Sequence, residues 1–359
     1  MDITQLLAYG VSQRASDCHI SSGEPPLVRV DGDLKRLDHP ALSKEEVHAL
    51  VYDIMGDAQR KAFEEHHECD FSFELGAIAR FRVNVFLQRK GEAAVFRTIP
   101  SKVLTLNELG MPKVLKDLCQ KEKGLILVTG PTGCGKSTTL AAMIDFINED
   151  FEGHILTVED PIEFVHQSKK CLINQRELGV HTRSFAAALR AALREDPDVI
   201  LVGEMRDLET IQLALTATET GHLVFGTIHT SSAADTVNRI IDVFPPSQQS
   251  QIRTQFAENV EAVITQTLLK KKGGGRIAAL EIMTGTTAIR SLIREGKIHQ
   301  ITGTMQVSQK DGMQTMDMAL VDLANRGIVT REEAQSRSMT ANLFGGGAFG
   351  LGVTGGRGR

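Results

Sequence analysis

The chain has 359 residues, of which 42% are hydrophobic and 24% are charged, a composition ordinary for a folded protein of about two domains. Its net charge of −5, its lack of Trp and its two Tyr residues argue against a basic or base-stacking nucleic-acid surface. No apolar stretch is long enough to span a membrane, and the N-terminus lacks a signal-peptide pattern. The five cysteines are dispersed and fit neither a disulfide framework nor a zinc site. We therefore expect a cytoplasmic protein.

Residues 1–99 are predicted to form a mixed α/β domain. Apolar residues at helical spacing open it, and a capping box begins a second helix at Ser43. A hairpin is predicted around the Asp31-Gly32 turn. Alternating apolar and polar residues predict further strands at 69–73, 80–86 and 93–99. Residues 100–112 then read as an interdomain linker.

Arginines share one face of the predicted strand 80–86. Arg80 and Arg82 alternate with the apolar residues Phe81, Val83 and Val85. The simplest interpretation is a solvated surface. The functional one is a clamp on the γ-phosphate of a nucleotide bound by a neighbouring subunit, and the pattern alone does not decide between them.

The stretch from Gly130 to Ser137 matches the phosphate-binding loop G-x-x-x-x-G-K-[ST]. The β-branched run 125–129 precedes it, and a plausible helix follows, which is the context this motif requires. Backbone N–H groups would cradle phosphates, Lys136 would reach the β- and γ-phosphates of ATP, and Ser137 would ligate Mg²⁺.

From residue 113 onward, strand and helix patterns alternate, which favours a parallel sheet with its ligands at the carboxyl ends of the strands. The buried-strand pattern 199–202 is followed closely by Glu204. We interpret Glu204 as the acidic residue that holds Mg²⁺ through a water molecule, opposite Ser137. The alternative is an ordinary carboxylate at a strand end.

Two further polar stretches follow predicted strands. After 155–158 come three carboxylates, and we select Glu163 as the general base that orients the attacking water; an exposed acidic turn is the alternative. His222 and His229 bracket the strand 223–227. They could sense the γ-phosphate, or be packed structural histidines.

The C-terminal region 286–342 shows helix signals, and the glycine-rich tail 343–359 is expected to be disordered. Within this region, the segment Ala288–Lys297 contributes to a resemblance with a known family.

Taken together, these stretches resemble the secretion-superfamily ATPases of type II and type IV machines, over residues 1 to about 340. Ala288–Lys297 is close to the segment that marks the retraction members of that family, with Ser291 in place of their usual Asn. The resemblance implies an α/β fold with an N-terminal PAS-like α+β domain (1–99), a RecA-like P-loop ATPase domain (113–285) and C-terminal helices. We do not expect the extra N-terminal region or the four-cysteine zinc insertion that is typical of assembly and secretion ATPases.

The resemblance also implies a function and a set of site residues. The chain would be a homohexameric ATPase motor, using ATP and Mg²⁺, that powers type IV pilus retraction and twitching motility. It would act at the cytoplasmic face of the inner membrane, on a membrane platform protein, with an accessory retraction ATPase as a further candidate partner. By position, the implied residues are Thr132, Gly133, Cys134, Gly135, Lys136, Ser137 and Thr138 of the phosphate loop, Glu163, Glu204, His222, His229, and the arginines Arg80, Arg82 and Arg97.

Three alternatives stay open at this point. The chain could itself be an accessory retraction ATPase, a nucleic-acid motor on the same RecA-like scaffold, or a nucleotide switch that binds ATP with negligible hydrolysis. The net negative charge argues against the nucleic-acid motor. The presence of Glu163, Glu204 and the arginines argues against the nucleotide switch.

Overall fold

The computed structural model describes residues 2–30, 32–76, 78–99 and 102–344. Asp31 of the predicted hairpin turn, Pro100 and Ser101 of the predicted linker, and residues 345–359 of the predicted tail lie outside the described residues.

The first sheet is antiparallel, with the strand order β3-β2-β1-β6-β5-β4. Its strands are β1 (Asp17–Ser21), β2 (Leu27–Val30), β3 (Asp33–Arg36), β4 (Glu68–Leu75), β5 (Ala79–Gln88) and β6 (Gly91–Ile99). Three helices accompany it: α1 (Ile3–Ser12), α2 (Lys44–Asp53) and α3 (Asp57–His66). The predicted hairpin strands and the Ser43 capping box are confirmed. Phe81, Val83 and Val85 of β5 are fully buried, as the alternation predicted.

The second sheet has seven strands in the order β13-β12-β7-β11-β10-β8-β9. Its strands are β7 (Gly124–Thr129), β8 (His154–Glu159), β9 (Leu172–Glu177), β10 (Val199–Val202), β11 (Leu223–Ile228), β12 (Val260–Lys270) and β13 (Arg276–Thr284). The pairs β12–β7, β7–β11, β11–β10 and β8–β9 are parallel, and β13 runs antiparallel to β12. The apolar runs predicted β7, β8, β10 and β11 correctly, whereas β9, β12 and β13 were not predicted.

The helices of this region are α4 (Val114–Cys119), α5 (Lys136–Asp150), α6 (Phe185–Ala192), α7 (Leu208–Glu219), α8 (Ala233–Asp242) and α9 (Pro246–Asn259). Helices alternate with most of these strands, although β9 follows β8 directly, α9 follows α8 and β13 follows β12. Side-chain oxygens of Ser184, Asp207 and Ser232 accept hydrogen bonds from the first turns of α6, α7 and α8. These caps fix where each helix begins, and hence how long the preceding loop at the sheet edge can be.

Four helices complete the described chain: α10 (Thr287–Arg294), α11 (Ile301–Val307), α12 (Met316–Asn325) and α13 (Arg331–Arg337). Leu343, the first residue of the predicted tail, is buried in a cluster with Leu320 and Val329. Among the described residues, no helix is long and apolar enough to cross a membrane.

The chain divides into two compact units, each discontinuous in sequence. The first comprises residues 1–111 and 140–197, and the second comprises residues 112–139 and 198–359. The first has a core that includes the buried Phe81, Val83 and Phe96.

Candidate active site

The phosphate-binding motif lies where expected, between the end of β7 and the start of α5 at Lys136. Two glycines show why this loop needs them. A Cβ on Gly130, whose φ is +134°, would lie 2.4 Å from the carbonyl oxygen of Gln266. Gly133, with φ +78°, is exposed and has no atom within 4 Å of where a Cβ would stand. The loop is therefore packed on its inner side and open on its outer side, as a phosphate cradle must be.

Gln266 of β12 braces this loop from within the protein. Its side-chain amide donates to the Cys134 carbonyl at 2.6 Å and accepts from the Thr139 hydroxyl at 2.9 Å. The residue is 1% exposed. Because both polar ends of the amide are satisfied, Gln266 fixes the loop against the first turn of α5. No motif in the sequence marks Gln266 as part of the site.

Lys136, His229 and Glu204 form a connected chain within the second unit. Lys136 Nζ donates to the carbonyls of Gly130 at 2.8 Å and Pro131 at 3.1 Å, and it lies 3.4 Å from His229 Nδ1. His229 Nε2 lies 3.1 Å from Glu204 Oε1. Since an ammonium only donates and a carboxylate only accepts, these contacts suit an imidazole that accepts at Nδ1 and donates at Nε2. Glu204 also pairs with Arg206.

The oxygen donors here suit a hard cation. The Ser137 hydroxyl and the Glu204 carboxylate are ligand types that Mg²⁺ prefers. Within the part of the chain that the structure describes, no cluster of three or more His, Cys, Asp or Glu residues could hold a metal by itself. Mg²⁺ is typically bound through few protein ligands together with water and substrate phosphates.

Glu163 lies in the first unit, on the loop that follows β8, and its side chain is exposed. Two carboxylates hold this loop by its backbone. The Glu163 N–H donates to Glu159 Oε2 at 3.4 Å, and the Ile162 N–H donates to Glu177 Oε2 at 3.1 Å. Desolvation raises the pKa of Glu159, which also accepts from the Thr157 hydroxyl. Glu163, the predicted base, is therefore exposed to solvent on a loop whose backbone is held by two carboxylates.

The three predicted arginines lie on neighbouring strands of the first unit, and two are engaged in ion pairs. Arg80 pairs with Glu177 at 3.2 Å, and Arg97 with the buried Asp17 at 3.0 Å. Arg82 stands directly opposite Arg97 in the β5–β6 ladder. Like charges that face each other across a ladder repel, and an anion bound between them would relieve that repulsion.

His222 and His229 lie at opposite ends of β11. His222 comes just before the strand, its carbonyl accepts from Gly124 N–H at the start of β7, and its ring contacts the Ala217 carbonyl. The phosphate loop follows the other end of β7, a separation of about 17 Å at roughly 3.3 Å per residue. Within one chain, therefore, His229 joins Lys136 and Glu204, and His222 does not.

Comparisons with known proteins agree with this architecture. A family model described as type II/IV secretion system protein matches residues 1–336. The chain is 60% identical to the type IV pilus retraction ATPase PilT of Pseudomonas aeruginosa over 344 residues, covering 96% of this chain and 100% of that protein. It is 40% identical to the type IV pilus ATPase PilU of the same organism, covering 95% of this chain and 90% of PilU.

Among solved structures, the crystal structure of the pilus retraction motor PilT with bound ADP superimposes with a TM-score of 0.88. The two sequences are 49% identical, and the match covers 95% of this chain and 98% of that one. The fold and the phosphate loop define a P-loop ATPase. The chain belongs to the type II/IV secretion system protein family.

Proposed function

We propose that this chain is the ATP-hydrolysing motor of type IV pilus retraction. The observation that carries the proposal is the Lys136–His229–Glu204 chain beside an open phosphate loop, in a protein 60% identical to a retraction ATPase along its length. ATP is the substrate, and bound Mg²⁺ would neutralise charge on its phosphates.

Binding begins with Lys136. In this structure its ammonium donates to carbonyls of its own loop, so phosphate oxygens must take over those hydrogen bonds. His229 bridges Lys136 to Glu204, so a change at the lysine alters the environment of the Glu204 carboxylate. We assign ATP binding to residues 132–138, the Mg²⁺ ligands to Ser137 and Glu204, and phosphate sensing to His229.

Hydrolysis requires a base for the attacking water, and we assign that role to Glu163. Its exposed carboxylate is accessible to a substrate, and the hydrogen bond of its backbone to Glu159 keeps the loop in a fixed position. Arg80, Arg82 and Arg97 would contact the phosphates and stabilise the charge that develops in the transition state. His222, at the opposite end of β11, would act across a subunit boundary.

The remaining assignments concern the assembly. We propose a homohexamer with domains at 1–99, 113–285 and 286–342, located in the cytoplasm and attached to the inner membrane at the pilus base. Its partner would be the pilus platform protein. ATP binding would close one subunit interface and hydrolysis would open it, because the arginines contact ATP in one state only.

An accessory role like that of PilU is the second candidate, and the lower identity to PilU disfavours it. Expression of the chain in Pseudomonas strains lacking either PilT or PilU separates the two. We expect twitching to return in the strain lacking PilT, and not with the Glu163→Gln variant. Rescue of only the PilU-deficient strain would contradict the proposal.

A further inference from the structure

We propose that Glu177 is a positioning residue with two tasks: it anchors the loop that carries Glu163, and it withholds Arg80 from the nucleotide until ATP competes for that arginine. The inference rests on the function proposed above, in which Arg80 contacts a phosphate and Glu163 is the base.

The ion pair is enclosed. Arg80 Nη2 lies 3.2 Å from Glu177 Oε2, and the two side chains are only 18% and 10% exposed. At this exposure water screens the charges weakly, so their mutual attraction is stronger than in an exposed ion pair. A second carboxylate, Glu74, lies 3.8 Å from Arg80 Nε, but its side chain is 67% exposed. Glu177 is therefore the group that sets where the guanidinium lies.

The same carboxylate oxygen also anchors the loop. Glu177 Oε2 accepts the Ile162 N–H at 3.1 Å, one residue before Glu163. The arginine and the base are thus connected through one oxygen atom, from the end of β9 to β5 and to the loop after β8. Movement of Arg80 toward a phosphate would change the charge around Glu177 Oε2, the oxygen that holds the loop of Glu163.

The Arg80 guanidinium has unused donor capacity. Its Nε is buried and has no hydrogen-bond acceptor among the residues described. A buried donor without an acceptor costs free energy, and a phosphate oxygen would relieve that cost. Glu177 therefore holds the Arg80 guanidinium in a position where its Nε has no hydrogen-bond acceptor.

Two substitutions separate the two tasks. Glu177→Gln keeps a carbonyl oxygen for the Ile162 N–H but loses the charge that holds Arg80. Glu177→Ala loses both. The first should free Arg80 and tighten nucleotide binding while turnover at saturating ATP is retained. The second should also lower turnover, because the loop of Glu163 loses its anchor.

The test is a titration of each full-length variant with a fluorescent, non-hydrolysable ATP analogue, followed by measurement of turnover at saturating ATP. We expect Glu177→Gln to bind the analogue about 3- to 10-fold more tightly, the scale of one charge-assisted contact. Turnover should fall about 10-fold or more only in Glu177→Ala, as expected when a reacting group is misplaced. Glu74→Gln is the matched control, and its affinity should change less than about 2-fold.

Arg80→Gln and the double variant Arg80→Gln/Glu177→Gln complete the design. Both should bind the analogue more weakly than wild type and equally to each other. If Arg80→Gln binds as wild type does, the proposed phosphate contact of Arg80 fails, and this inference with it. If Arg80→Gln weakens binding but Glu177→Gln fails to tighten it, the inference alone is overturned.

Discussion

At the scale of single residues, the proposed site depends on a small set of polar contacts around the phosphate loop. Lys136 is tethered by carbonyls of its own loop, and His229 connects it to Glu204. Gln266 holds the loop from behind. Each of these contacts can be removed by one substitution that leaves the apolar core unchanged.

Loss of the lysine or of the acidic residue should abolish turnover in distinguishable ways. Lys136→Ala should lose ATP binding, since it removes the ammonium that is proposed to contact the β- and γ-phosphates. Glu204→Gln should bind ATP but hydrolyse it about 100-fold or more slowly, the scale of removing one preorganised charged group. Nucleotide titration and steady-state phosphate release measure the two effects. Lys35→Ala, on the exposed strand β3, is the control, and normal hydrolysis by either site variant would refute the assignment.

Removal of the Gln266 brace should weaken ATP binding. Gln266→Leu leaves the Cys134 carbonyl and the Thr139 hydroxyl unpaired, at about 1–3 kcal/mol for each buried group. The loop then loses its fixed shape, so we expect roughly 10-fold weaker nucleotide affinity and a lower midpoint of thermal unfolding. Thr267→Val, on the next residue of β12, should bind normally. Equal affinity in Gln266→Leu would show that the brace does not shape the loop.

The same residues show what the sequence could and could not predict. Lys136 follows a glycine motif, and Glu204 and Glu163 follow apolar runs that predict strands. The positions of these three residues could therefore be predicted from the sequence. Gln266 was not, because a polar residue inside a strand normally indicates solvent exposure, whereas here it is buried against the phosphate loop. The ion pair of Arg80 with Glu177 joins residues 97 positions apart, and no local pattern encodes it.

At the scale of elements, β12 and β13 support both the phosphate loop and the C-terminal helices. Their sequence mixes polar and apolar residues without simple alternation, because several positions on both faces of β12 are buried. The Gly273–Gly275 turn between them was the available hairpin signal. Glu281 of β13 is the main link: its carboxylate accepts the N–H of Ala233 at 2.7 Å and of Met316 at 3.3 Å. It thereby joins the first turns of α8 and α12.

Replacement of this link should destabilise the protein in a pH-dependent way. Glu281→Gln leaves one of the two helix N–H groups without its acceptor, so the free energy of unfolding should fall by about 1–3 kcal/mol. Burial, together with the nearby Asp235 and Asp317, raises the pKa of Glu281 above 4.5. A raised folded-state pKa means that stability is lost as the pH rises through it, so the advantage of wild type over Glu281→Gln should shrink above pH 4.5.

Urea unfolding of both proteins from about pH 4 to pH 8 measures this difference, with the slope of the transition checking two-state behaviour. Glu219→Gln, at an exposed site at the end of α7, should show no such trend. A wild-type advantage that grows with pH would contradict the raised pKa of Glu281.

At the scale of the whole molecule, the groups proposed to act on ATP are shared between two units of the chain. Lys136, Ser137, Glu204 and His229 belong to the second unit, while Glu163 and the three arginines belong to the first. In the proposed motor, ATP would have to contact the closed and open states differently in order to drive the change between them. In the proposed hexamer, the arginines act on the nucleotide of a neighbouring subunit.

The most direct test of this account is steady-state ATP hydrolysis measured against protein concentration, with the mass of the particles determined at each concentration. We expect turnover per chain to be low for the monomer and to rise together with the hexamer fraction, and we expect Arg82→Gln to abolish the rise. Equal turnover per chain in the monomer and the hexamer would contradict it, because each site would then be complete within a single chain.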